Sequence, residues 1–161
     1  MSRPSSAHCR ITGLALLVLP LVLAACSSGS ESGAGSDSAN SSLQKEGGTV
    51  LSQMTGYASR AASCKSASSP VVCIEHADLT LGNEVHDYAN TLAVGKGFKA
   101  PQSDIVNARN SAQTLANSLE ILGDAQPTQS NYDQVLNTFN LDGAIAQLRK
   151  DVQTLDRALG S

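Results

Sequence analysis

Ile105-Val-Asn-Ala-Arg-Asn-Ser-Ala-Gln-Thr-Leu-Ala-Asn-Ser-Leu-Glu-Ile-Leu122 decides the fold class. Its apolar side chains recur as Ile105, Ala108, Ala112, Leu115, Leu119 and Leu122, in alternating steps of three and four. That is the repeat of an α-helix with one buried face; a half-buried strand would alternate with period two. Pro101 stands before the run and Gly123 just after it, the punctuation expected around a helix.

The same spacing extends to both sides. Upstream, Val50, Met54, Tyr57, Ala61 and Cys64 form one stripe, and Ile74, Ala77, Leu81, Val85, Tyr88 and Leu92 a second. Gly47-Gly48 reads as a frayed start of the first helix, because glycine weakens a helix interior. Ser69-Pro70 supplies a cap and a first-turn proline for the second, and Gly95 and Gly97 its stops. Downstream, Tyr132, Val135, Leu136 and Phe139 mark a short segment with Ser130 as its expected cap. Asn140-Leu141-Asp142-Gly143 then shifts the register, and Ile145, Leu148, Val152, Leu155 and Leu159 follow, with Asp142 as the expected cap. Each helix has one apolar side and a polar back, so each buries one side. Short links between helices of about 20 residues imply antiparallel neighbours. The expected fold is therefore all-α: an up-down antiparallel bundle of about four helices over residues 43–161, the last broken near Asn140–Gly143. The near-heptad spacing of the last stripe would also suit a seam with a second chain.

The other end of the chain is different in kind. Arg3 and Arg10 precede the apolar run from Ile11 to Leu23, which is interrupted by Pro20. A membrane-spanning helix needs about 20 apolar residues; this run is shorter, and a secretory signal is the better reading. It closes on Leu23-Ala24-Ala25-Cys26. In these four residues the chain resembles bacterial lipoproteins, matching their Leu-small-small-Cys lipobox at every position. The resemblance covers residues 1–26 alone. It implies that residues 1–25 are a signal peptide, that Cys26 carries a thioether-linked diacylglyceryl group, and that cleavage makes Cys26 the first residue of the mature chain. Two acyl chains anchor a protein stably where one does not. The implied location is extracytoplasmic, on the cell membrane or on an outer membrane.

Ser27 to Ser42 is almost entirely Ser, Gly, Ala, Asn and acid. Such a stretch cannot bury a core and is expected to be a flexible tether, residues 26–42, spanning roughly 20–24 Å. A glycosylated stalk would have the same composition.

The whole chain carries 11 Lys/Arg against 14 Asp/Glu. Without Arg3 and Arg10, nine positive groups face the same 14 acids, a net charge of −5. That balance argues against nucleic acid and against adsorption to anionic polymers.

Beyond Cys26 the exported part contains only Cys64 and Cys73. Disulfides persist outside the cytoplasm, and these two sit where the first helix ends and the second begins. A structural bridge is the expected pairing. Redox chemistry favours Cys-x-x-Cys, and eight residues intervene here.

The densest polar cluster is Glu75, His76, Asp78, Glu84, His86 and Asp87. His76 and Asp87 share a face nearly opposite the apolar stripe, and His86 is rotated from His76 by roughly 80°. Neither His-x-x-x-His nor the paired Glu-x-x-His of di-iron bundles is present. The cluster reads as a solvated helix face, with no metal and no cofactor. No Gly-x-Ser-x-Gly and no phosphate-cradling loop occurs. With no Trp, and with Tyr57, Tyr88 and Tyr132 on apolar stripes, a sugar-stacking cleft is not expected either. Those tyrosines read as core residues with the hydroxyl at the rim.

The expected function is thus non-catalytic: an envelope module that binds another envelope protein. A carrier of a small ligand or lipid is the alternative, and an unrecognised hydrolase a third. Close packing through Ala108 and Ala112 argues against a large internal cavity.

Overall fold

A computed structural model describes residues 34–160, and side chains from residue 36 onward. The expected signal peptide, Cys26 and the first part of the tether lie outside the described residues. Five helices follow in order: α1 Ala34–Cys64, α2 Pro70–Val94, α3 Gln102–Asp124, α4 Tyr132–Thr138 and α5 Leu141–Leu159. The four long ones close a ring, α1 on α2, α2 on α3, α3 on α5, and α5 back on α1. Residue pairs show the directions. Tyr57 meets Asp78 while Gly47 lies against Tyr88, so α1 and α2 are antiparallel. Asn40 meets Leu159 and Gly47 lies against Val152, so α1 and α5 are antiparallel too. The bundle has five helices because the expected fourth layer is two elements, the short α4 and the long α5.

Every stripe residue expected of the first three helices and of α5 is buried. Leu81, Val85, Leu115, Leu122, Leu148, Val152 and Leu155 are wholly enclosed. Apolar area removed from water drives this packing, and in α5 it covers the stripe that would otherwise have suited a second chain. No described helix is long and apolar enough to cross a membrane.

The start of α1 departs from expectation. Helix begins at Ala34, nine residues before Leu43, so the second half of the expected tether belongs to the bundle. Asn40 explains the difference. It is 6 % exposed; its Nδ2 donates to the carbonyl of Leu159 at 3.4 Å, and its Oδ1 accepts the Lys99 N–H at 3.0 Å. One amide thus satisfies a carbonyl left over at the C-terminal end of α5 and a donor in the α2–α3 connection. Gln44 Nε2 adds a bond to the Asp156 carbonyl at 3.2 Å.

Gly47 and Gly48 lie inside α1, not at a frayed start. A Cβ on Gly47 would come within 3.1 Å of Val152 Cγ1 and 3.3 Å of Asp156 Oδ1. The missing side chain lets α1 and α5 approach closely. Gly48 faces open space.

The expected caps differ in detail. Ser69 and Pro70 start α2 as expected, although the Ser69 hydroxyl makes no capping bond. At α4 the boundary residue is Asn131, not Ser130; its Oδ1 accepts the Thr128 N–H at 2.7 Å instead of capping forward. The break before α5 falls at Phe139–Asn140, where Asn140 takes a left-handed conformation (φ 46°). Asparagine adopts that region more readily than most residues. Asp142 and Gly143 are therefore inside α5, and Asp142 does not cap it.

Cys64 and Cys73 are joined by a disulfide, with their Cα atoms 5.3 Å apart. The bridge ties the end of α1 to the first turn of α2, closing the hairpin whose link is Lys65–Ser69.

Candidate functional site

The cluster on α2 does not all face solvent. His76, His86 and Asp87 are exposed, and Glu75 and Glu84 half-buried, but Asp78 is only 5 % exposed. The spacing of Ile74, Asp78, Leu81 and Val85 is four, three, four, so Asp78 stands in the apolar stripe. That signal was present in the sequence and was masked by the acidic neighbours.

Asp78 is held from α1. The Tyr57 hydroxyl donates to Asp78 Oδ1 at 2.7 Å, whereas Asp78 Oδ2 has no hydrogen-bond partner. Burial pushes the Asp78 carboxyl up to about 6; the Tyr57 bond pulls it down, and the nearby Glu75 charge pushes it up. Burial, then the Asp78 charge and the shared hydrogen bond, raise the Tyr57 phenol far above its ordinary value.

The other two tyrosines also correct the rim placement. Tyr132 is 2 % exposed, and its hydroxyl donates to the Ala61 carbonyl at 2.6 Å; burial pushes the phenol up to about 12. This bond fastens α4 to the last turn of α1, with Lys65 and Asp133 pairing at the surface nearby. Tyr88 is 1 % exposed, and its phenol too is raised, first by burial and then by the Asp156 charge. All three hydroxyls are inside the bundle.

Asp78 is also among the residues that line a groove between α2 and α3, with a volume of about 510 Å³. Buried Asp78 and Leu119 form its floor. Glu75 and His86 on α2, and Glu120 and Asp124 on α3, are its ionisable walls. Leu79, more than half exposed, is its apolar lip. The volume lies within the range of small-ligand pockets. Of the expected cluster, then, Glu75, Asp78 and His86 are brought together with two acids of α3, while His76, Glu84 and Asp87 are not.

Among the described residues, no group of three or more His, Cys, Asp or Glu side chains is placed to hold a metal ion. The groove can receive positive charge and hydrogen-bond donors, with an apolar surface beside them. Comparison with known proteins finds no matching family model, no similar curated protein and no similar solved structure.

Proposed function

We propose that the chain is a lipid-anchored extracytoplasmic module that works by contact and not by bond-making, with the α2–α3 groove as its contact face. In this reading residues 1–25 direct export, Cys26 carries the lipid, and residues up to about 33 hold the bundle off the membrane. The partner is another protein of the envelope.

The groove carries the reading. It combines an exposed leucine at its lip with four carboxyl groups along its walls and floor, a mixture suited to recognition. The location is supported by the lipobox at Leu23–Cys26, and the Cys64–Cys73 bridge fits an oxidising compartment. A second reading, a small-ligand carrier, is favoured by the groove volume of about 510 Å³. Its binding site would be this cleft, not an internal cavity.

Site-specific photo-crosslinking in intact cells tests the contact reading. A photoreactive residue at Leu79 is expected to trap one discrete protein adduct, and the same residue at exposed Gln153 on α5 is expected to trap none. Equal labelling from both positions, or none from Leu79, would contradict it.

A further inference from the structure

We propose that the α2–α3 groove binds the charged end of an organic ammonium or guanidinium ligand, received by the carboxylate of Asp78. The proposal rests on the groove being the working face of the protein and adds the chemistry that the face recognises.

Asp78 is the first observation. A carboxylate can accept several hydrogen bonds, and a buried one left short of partners is costly. Here the residue is 5 % exposed, Tyr57 serves Oδ1, and Oδ2 has no partner. Burial pushes this carboxyl up to about 6, and a cation placed beside it favours its charged form. A ligand N–H supplies both the missing donor and the missing positive charge.

The surroundings select the sign. Glu75, Glu120 and Asp124 line the same groove, no lysine or arginine does, and His86 is the single basic group among the lining residues. A cleft lined by one sign of charge concentrates the opposite one.

Two glycines keep the space open. Gly82 of α2 and Gly123 of α3 both line the groove, and a Cβ on either would meet no atom within 4 Å. Glycine is among the poorest helix formers, and neither position is crowded enough to require it for packing. Their effect is to leave room between the two helices. The remaining walls, Leu79, Ala116 and Leu119, are apolar. They match an aliphatic stem, which a bare metal ion lacks. A guanidinium or ammonium on a short alkyl chain fits every part: head on Asp78, stem along the alanine and leucines.

NMR titration of the 15N-labelled full chain in a zwitterionic detergent tests this, using the Gly82 and Gly123 amides as reporters. Butylguanidinium chloride is expected to shift both amides saturably, while 1-butanol and sodium chloride at equal concentrations do not. Asp78→Asn, which keeps the shape and an acceptor for Tyr57, is expected to weaken binding at least tenfold. Gly82→Leu, which fills the groove, is expected to abolish it with the spectrum still dispersed. A parallel titration with Gly-Arg-Gly amide separates the sources: tighter binding assigns the cation to a peptide side chain, weaker binding to a free organic cation. Absence of saturation, an equal response to 1-butanol, or undiminished binding by Asp78→Asn would overturn the proposal. Failure here with the Leu79 crosslink intact removes the cation chemistry alone. Loss of the crosslink with binding intact removes the protein partner alone.

Discussion

The Tyr57 hydroxyl and Asp78 Oδ1 are 2.7 Å apart across the α1–α2 contact, the one hydrogen bond of a carboxylate that is almost wholly enclosed. Its proton affinity links stability to pH. The folded-state value of about 6 lies above the ordinary carboxyl value of 3.8, so the folded chain holds this proton more tightly than the unfolded one. The stabilisation is complete below about 4 and is lost as pH rises through 6. Lowering the pH from 7.5 to 5 should therefore stabilise the bundle by about 1.4 kcal/mol, one unit below the folded value. Asp156, also raised by burial, acts in the same direction. Thermal melts across this range check it, and Asp78→Asn should flatten the profile.

Removing the donor should be worse than removing the charge. Tyr57→Phe leaves Asp78 with neither oxygen partnered, and loss of a hydrogen bond to a buried charged group costs about 2–3 kcal/mol. Urea unfolding at pH 7 measures it. The Tyr57→Phe/Asp78→Asn double variant should recover part of the loss, because the stranded charge is gone.

The Cys64–Cys73 bridge closes a ten-residue loop. The chain-entropy model assigns such a loop about 2.5–3 kcal/mol. The Cys64→Ser/Cys73→Ser chain should lose that much in urea unfolding, and reductant should lower the stability of the parent chain but not of the double variant.

Gly47 and Gly48 should respond in opposite ways. Gly48→Ala meets no atom within 4 Å and should stabilise α1 by about 0.5–1 kcal/mol through helix propensity. Gly47→Val pushes into Val152 and Asp156 and should destabilise by about 1–3 kcal/mol, the usual cost of overpacking. Paired melting temperatures decide the matter.

These sites also mark how far the sequence could be read. The stripes from Val50 to Leu159 are legible because a buried helix face imposes its own period, and each of their members in the four long helices is enclosed. The bridge is legible because only two cysteines remain beyond Cys26. What escapes depends on distant partners. Asn40 looks like tether until the Leu159 carbonyl and the Lys99 N–H are beside it. Gly47 looks like a helix end until Val152 lies against it. Asp78 could have been placed on the stripe by its spacing from Ile74 and Leu81, yet its bond to Tyr57 could not. The groove is harder still: it exists through the rotation of α2 against α3, and intra-helix spacing does not encode that angle.

In the reading proposed here, lipid anchoring depends on one thiol, Cys26, and detergent phase partitioning of the Cys26→Ser chain tests it most directly. The parent protein should be processed and enter the detergent phase, while the variant should remain unprocessed at the Ala25–Cys26 bond and carry no lipid. A serine variant that is still cut there and still partitions with detergent as a labelled lipoprotein would contradict the account.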